Sequence, residues 1–374
     1  MEKRTASIEI KQKNRSSIYK ILREKSSLSK QDIVFALGLS LPTVTQNIQD
    51  LINEGLVEEC GYLGNTGGRR AKVYSAVSDA RTAIGIDLTR HHITAVAVNL
   101  KGDSIASISK NADFEQSDNY YRKLGDTVNE LVDTSHIDPD TILGVGIGVP
   151  GLITEDNQTV FYGEILNFTG MTCKELAKYI YYPTALFNDA NASGFAETWI
   201  DPELDNAFYI MLSNNVGGAV YIKKEQYCGE NIRAGEVGHI IIVPDGKQCY
   251  CGQKGCVDAY CAATVLSSHT NGNLAEFFNE LNEGNAEALE IWNEYVTHLA
   301  TTVIDIRMLF DCSVIIGGYV GAYIDKYLND LRSRIAGKSS FEKNADYIVP
   351  CKFKNNAIAT GAALNFISSF LKEI

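Results

Sequence analysis

The sequence predicts an α/β protein in two parts, a small helical head followed by a two-lobed body, and three observations carry that prediction. Short amphipathic stretches and a glycine-rich hairpin fill the first 78 residues. Beyond Thr82, apolar strand runs alternate with hairpins and helices, and the theme occurs twice. The length, 374 residues, exceeds what one compact core accommodates.

Charge divides the same way. Residues 1–80 hold 12 Lys and Arg against 9 Asp and Glu, whereas the whole chain carries a net charge of -12. A basic head on an acidic body places any nucleic-acid contact in the head and argues against DNA wrapping around the body. No apolar run of spanning length and no signal-like start is present, so no membrane partner and a cytoplasmic location are expected. In that setting the scattered cysteines read as small buried residues rather than disulfides.

In the head, Ile18, Ile21 and Leu22 mark a first helix over Asn14–Glu24. Ser29 caps a second, with Ile33, Val34 and Leu37 inward and Gly38 ending it. Ser40 caps a third, Pro42 sits in its first turn, and Leu41, Val44, Ile48, Leu51 and Ile52 face the core. Two short helices around a glycine turn are a helix-turn-helix pattern, and the outward Thr43, Gln46 and Asn47 are side chains able to read base edges. A hairpin with a glycine tip follows, with Arg69 and Arg70 beside it. This is a wing placed for phosphates or a narrow minor groove.

In the body, Ala83–Leu88 and Ile93–Val98 form a strand pair, Ile105–Ile108 continues it, and a helix near Tyr120–Asp133 precedes the strand Leu143–Val149. A second strand, glycine turn and strand occupy Asn206–Ile222. Two such units predict two lobes with a ligand cleft between them. His239, Cys249, Cys251 and Cys256 make a His…Cys-x-Cys-x₄-Cys set, the soft ligands of a closed structural Zn²⁺ site, with Gly252 and Gly255 curling the backbone so that the sulfurs converge.

Gly148-Val149-Pro150-Gly151, Asn188-Asp189-Ala190-Asn191-Ala192, Glu236-Val237-Gly238-His239 and the Cys249–Cys256 loop, in that order, make the body resemble the ROK family of repressors and sugar kinases. With the winged head included, the chain is similar to its xylose-operon-repressor branch. The resemblance implies an actin-like, ribonuclease H-like body: head 1–78, lobe one 79–187, lobe two 188–355 with a zinc loop, and a C-terminal helix 356–374 returning to lobe one. It also implies one structural zinc per chain on the same four ligands. Asn188, Asp189, Glu236, His239 and Asp258 are implied to touch a sugar; the family has glutamate at the last position. Asn167 is a further candidate from a looser match.

In the family's kinases the position of Asp189 is the catalytic base, and three glycine loops hold ATP phosphates. The first loop pattern, Asp-x-Gly-Gly-Thr, is Asp87-Leu88-Thr89-Arg90-His91 here, without its glycines or threonine. The second, Gly-Thr-Gly-x-Gly-Gly-Gly, is Ser213-Asn214-Asn215-Val216-Gly217-Gly218-Ala219, with its first two glycines replaced. The third keeps Gly317-Gly318 but follows them with Tyr319. The expectation is a non-enzymatic, sugar-responsive repressor of a carbohydrate operon. It would bind operator DNA as a homodimer or homotetramer, and a bifunctional sugar kinase is the alternative. A protein signal is a third possibility to which no residue points.

Overall fold

The computed structural model describes residues 2–62, 71–338 and 341–374. The head opens with α1 (Glu2–Glu24), well ahead of the expected start at Asn14. Its early residues are polar helix formers with no apolar stripe to mark them. A two-residue strand, β1 (Leu28–Ser29), leads into α2 (Lys30–Leu37). Ser29 and Asp32 cap that helix reciprocally, Ser29 Oγ accepting from Asp32 N (3.2 Å) and Asp32 Oδ2 from Ser29 N (2.9 Å). Gly38, with φ 64°, turns the chain into α3 (Leu41–Asn53), whose first turn Ser40 caps.

The hairpin β2 (Val57–Tyr62) and β3 (Lys72–Ala76) completes the head, with β1 pairing to β3 in the order β1-β3-β2. Arg69 and Arg70 lie outside the described residues.

The body repeats one plan. In the first lobe, β4 (Thr82–Leu88), β5 (His92–Asn99) and β6 (Ser104–Asn111) form a meander, and α4 (Asp118–Thr134) packs on it. Then β7 (Ile142–Val149), the small ribbon β8 (Leu152–Ile153) and β9 (Val160–Tyr162), the short α5 (Cys173–Leu176) and β10 (Thr184–Asn188) follow. The sheet order is β10-β7-β4-β5-β6, with β4, β7 and β10 parallel.

Helix α6 (Asp189–Ile200) crosses to the second lobe, where β11 (Ala207–Leu212), β12 (Val216–Ile222) and β13 (Glu225–Tyr227) form the same meander. After α7 (Asp258–Cys261), α8 (Ala263–Ser267), α9 (Leu274–Glu283) and α10 (Ala286–Phe310), β14 (Ser313–Gly317) runs parallel to β11. Next, α11 (Gly318–Gly321) and α12 (Leu328–Ala336) precede β15 (Ile348–Pro350), giving the order β13-β12-β11-β14-β15.

The chain closes with α13 (Ala357–Glu373), which lies on β4 and β7 and along α6. The approach to α6 is close: a Cβ on Gly361 would stand 1.7 Å from Ala192 O. One apolar cluster joins the head (Ile18, Leu22, Ile48, Tyr74) to lobe one and α13 (Ala83, Val98, Leu364, Ile367). Among the described residues no helix is long and apolar enough to cross a membrane.

Candidate functional site: an interlobe cleft, a metal centre and a nucleic-acid face

Parallel strands deliver the cleft residues together, because their C-terminal ends share one edge of the sheet. Asp87, the last residue but one of β4, registers with Gly148 of β7, and Val149 with Asn188 of β10. Asn188 is also the N-cap of α6: its Oδ1 accepts from Asn191 N (2.9 Å), while Nδ2 donates to Gly151 O and Asp189 Oδ1 (both 3.1 Å). The Gly-Val-Pro-Gly turn therefore fixes the amide that orients Asp189.

Burial pushes the Asp189 carboxyl up to about 7, the charges of Asp87 and Glu236 add to the rise, and the Ala190 N–H partly offsets it. Burial alone carries Asp87 to about 7. Tyr319 faces both carboxylates; burial and then their charges raise its phenol to about 12.

Across the cleft, Glu236 leads into a single helical turn, Val237–His239. Surrounding protein raises its carboxyl and His239 lowers it. Asn188 and Glu236 both line a cavity of about 400 Å³ between the lobes. Four of the implied sugar residues, Asp189, His239, Asp258 and Asn167, do not line that cavity. Asp258 is buried, and its Oδ1 accepts from Val216 N at 2.6 Å, which anchors the start of β12. Asn167 is exposed in a left-handed turn, its carbonyl accepting from Gln116 Nε2 (2.6 Å), and does not line that cavity.

His239, Cys249, Cys251 and Cys256 converge, with one ligand atom of each within 4.8 Å of every other. Cys251 and Cys256 Sγ are 3.8 Å apart, which matches the tetrahedron edge of roughly 3.8 Å that Zn–S bonds of about 2.3 Å give. Gly252 (φ 89°) and Gly255 (φ 83°) supply the left-handed turns that fold the loop back. His239 turns Nδ1 toward Cys249 Sγ (3.9 Å) and Nε2 toward Tyr250 Oη (3.2 Å). Tyr250 thus fixes the imidazole that presents Nδ1 to a metal, a role no sequence pattern marked. The donors fit a structural metal such as Zn²⁺.

On the head, α3 corrects one expected base-reading residue. Asn47 is 3% exposed and donates through Nδ2 to Thr43 O (2.8 Å). It lies three residues after Val44 and four before Leu51, on the inward stripe, and so faces the core. Leu41, expected inside, is 48% exposed at the first helical position. The outward face carries Thr45, Gln46 and Gln49, with Thr43 half-buried at its edge. Gln46 and Gln49 are held extended along the helix by Asp50 (2.8 Å) and Asn53 (3.1 Å).

Comparison with known proteins follows the same division. Residues 83–368 match the ROK family model, and residues 11–58 match a winged helix-turn-helix DNA-binding model. The xylose repressor of Bacillus subtilis (strain 168) is 24% identical over 375 residues, covering 98% of this chain and 97% of its own. A ROK family transcriptional regulator, homologous to the E. coli MLC protein, superposes with a TM-score of 0.76 at 21% identity over 97% of both chains. A ROK family glucokinase from Streptomyces griseus, solved with glucose and AMPPNP, gives 0.63 at 22% identity over 76% of this chain and 98% of its own.

Proposed function

This chain belongs to the ROK family, and from that premise we propose that it is a sugar-responsive transcriptional repressor of a carbohydrate-utilisation operon, not a sugar kinase. The observation that carries the reading is which glycines its three phosphate-loop positions retain. A Cβ on Gly218 would stand 2.6 Å from Gly235 O, one on Gly317 2.2 Å from Tyr209 Oη, and one on Gly318 2.6 Å from Leu212 N. Packing alone demands these three; at Gly217, the fourth retained, a Cβ would meet Ala190 Cβ at 3.0 Å. Where only a phosphate would demand bare backbone, side chains stand instead: Thr89 and Arg90 in the first loop, Ser213 and Asn215 in the second.

The first loop is also fastened to the rest of lobe one by its own groups. Arg90 Nη2 donates to Ile165 O (2.6 Å), His91 Nδ1 lies 2.7 Å from Asp113 Oδ1, and Thr89 N donates to His92 O (3.1 Å). The sugar side keeps Asn188, Asp189 and Glu236, groups that exchange hydrogen bonds with a polyol, beside His239, whose Nε2 already faces Tyr250 Oη.

The proposed signal path is α6. Its N-terminus holds Asn188 and Asp189, and near its other end Trp199 takes the Arg23 guanidinium of α1 over its ring at 4.9 Å. Twelve residues span about 18 Å at 1.5 Å each, so one rigid rod links the cleft to the head. Sugar changes operator affinity only if the DNA-bound and released conformations bind sugar differently. In a homodimer, closure of the cleft would reset the spacing of two recognition helices against half-sites about 34–36 Å apart.

Operator binding with and without a panel of sugars tests the proposal; no shift with any of them defeats it. A bifunctional kinase is the second reading, favoured by Asp189, whose pKa near 7 suits a general base. Sugar-dependent ADP release, absent in Asp189→Asn, would establish it.

A further inference from the structure

The cavity between the lobes continues past the side chains that the sugar-sensor reading requires. Asn188 and Glu236 are the only residues of the expected sugar seat that line it. It is also lined by Glu155 and Asn157 between β8 and β9, Asn191 of α6, Gln226 of β13 and Glu230 beyond it. Asp189 and His239, the other two groups of the expected sugar seat, do not line it. The cavity is therefore a neighbouring compartment that shares a wall with that seat.

Its chemistry is selective. Three carboxylates, from Glu155, Glu230 and Glu236, meet no Lys, Arg or His among the described lining residues. A phosphate monoester or sugar acid placed there would face like charge with no counter-ion. The side-chain amides of Asn157 and Asn191 make no hydrogen bond among the described residues and are half-buried, which leaves them available to a ligand hydroxyl. Leu152, Ile153 and Phe187 supply apolar surface for the ring face of a sugar.

Resting on the sugar-sensor reading, we infer that the effector is an uncharged saccharide longer than one ring. One ring occupies the seat of Asn188, Asp189, Glu236 and His239, and the next lies among Asn157, Asn191, Gln226 and Glu230. A monosaccharide fills only the first compartment, and a sugar phosphate is rejected.

Calorimetry on the full-length, zinc-loaded protein tests this with D-xylose against xylobiose, D-glucose against cellobiose and maltose, and glucose 6-phosphate. At least one disaccharide should bind about tenfold more tightly than its own monosaccharide. Glucose 6-phosphate should bind more weakly than glucose. Gln226 and Glu230 are exposed, so the double variant Gln226→Ala, Glu230→Ala should fold; it should lower disaccharide affinity to the monosaccharide level and leave the latter unchanged.

Cys228, half-buried in the same wall, gives an independent position readout: disaccharide should slow its alkylation and monosaccharide should not. Monosaccharide binding that no disaccharide exceeds overturns the second compartment while sparing the sensor reading. Tighter binding of glucose 6-phosphate overturns the charge argument. Failure of every sugar to bind removes the sensor reading itself, and this inference with it.

Discussion

Replacing Asp87 by asparagine should stabilise the protein, and by more at pH 8 than at pH 5. In the folded chain burial carries this carboxyl from its ordinary 3.8 to about 7. The unfolded chain releases the proton near 3.8, so between those values the folded state binds more protons and stability falls as pH rises. A shift of that size corresponds to about 4 kcal/mol in full, of which about 2.5 kcal/mol falls between pH 5 and pH 8. Asp87 lies on a cleft wall that water reaches, and relaxation there reduces the expected difference to about 1–2 kcal/mol.

The assay is urea denaturation of wild type and Asp87→Asn at pH 5 and pH 8, because groups common to both proteins cancel in the double difference. The charge of Asp87 raises the Asp189 carboxyl, so adding Asp189→Asn should gain less than the sum of the two single changes. An Asp87→Asn gain equal at both pH values, or a loss at pH 8, would mean that the carboxylate is ionised and held by a partner, and the reasoning would be refuted.

Three further outcomes are expected. Cys256→Ser should lower zinc content from one per chain and reduce the melting temperature, and a strong chelator applied to wild type should reproduce the loss; metal analysis and thermal scans measure both. Gln49→Ala should weaken operator binding by about 1–3 kcal/mol and relax specificity at one base pair, whereas Asn47→Ala should destabilise the head without altering specificity, as gel shifts on operator variants and melting curves will separate. Trp199→Ala should leave sugar affinity within about twofold but abolish the sugar-dependent shift in operator affinity, a coupling typically worth about 1–3 kcal/mol.

What could be read from the chain was what its chemistry makes local. Four soft ligands within eighteen residues announce a metal loop because few other uses bring Cys and His so close, and Ser29, Gly38 and Ser40 announce helix ends because capping is decided within a turn. Asn47 was misplaced because its polarity suggested an outward face, although the spacing from Val44 to Leu51 puts it inside, where its Nδ2 donates to the Thr43 carbonyl. The strand β1 is too short to show alternation, and the first half of α1 has no apolar stripe. Asp258 could not be resolved from sequence at all: with one methylene fewer than glutamate its carboxylate bonds Val216 N, a choice set by the distance between β12 and α7.

The shared core then constrains how a sugar signal could travel. Head, lobe one and α13 pack as one apolar cluster, and Gln12 and Ser16 of α1 donate to the Glu373 and Leu371 carbonyls at the end of α13. A head joined in this way does not swing on a tether; it moves with lobe one. The remaining freedom lies at the cleft, where lobe two meets lobe one across α6 and the Glu236 loop. A ligand that bridges Asn188 on one wall and Glu236 on the other acts at that joint, and its differential affinity for the open and closed joint sets the largest shift in operator binding it can produce. A saccharide that also reaches Asn157 and Gln226 adds contacts on both walls, so the geometry that would make a longer ligand bind more tightly would make it the stronger signal as well.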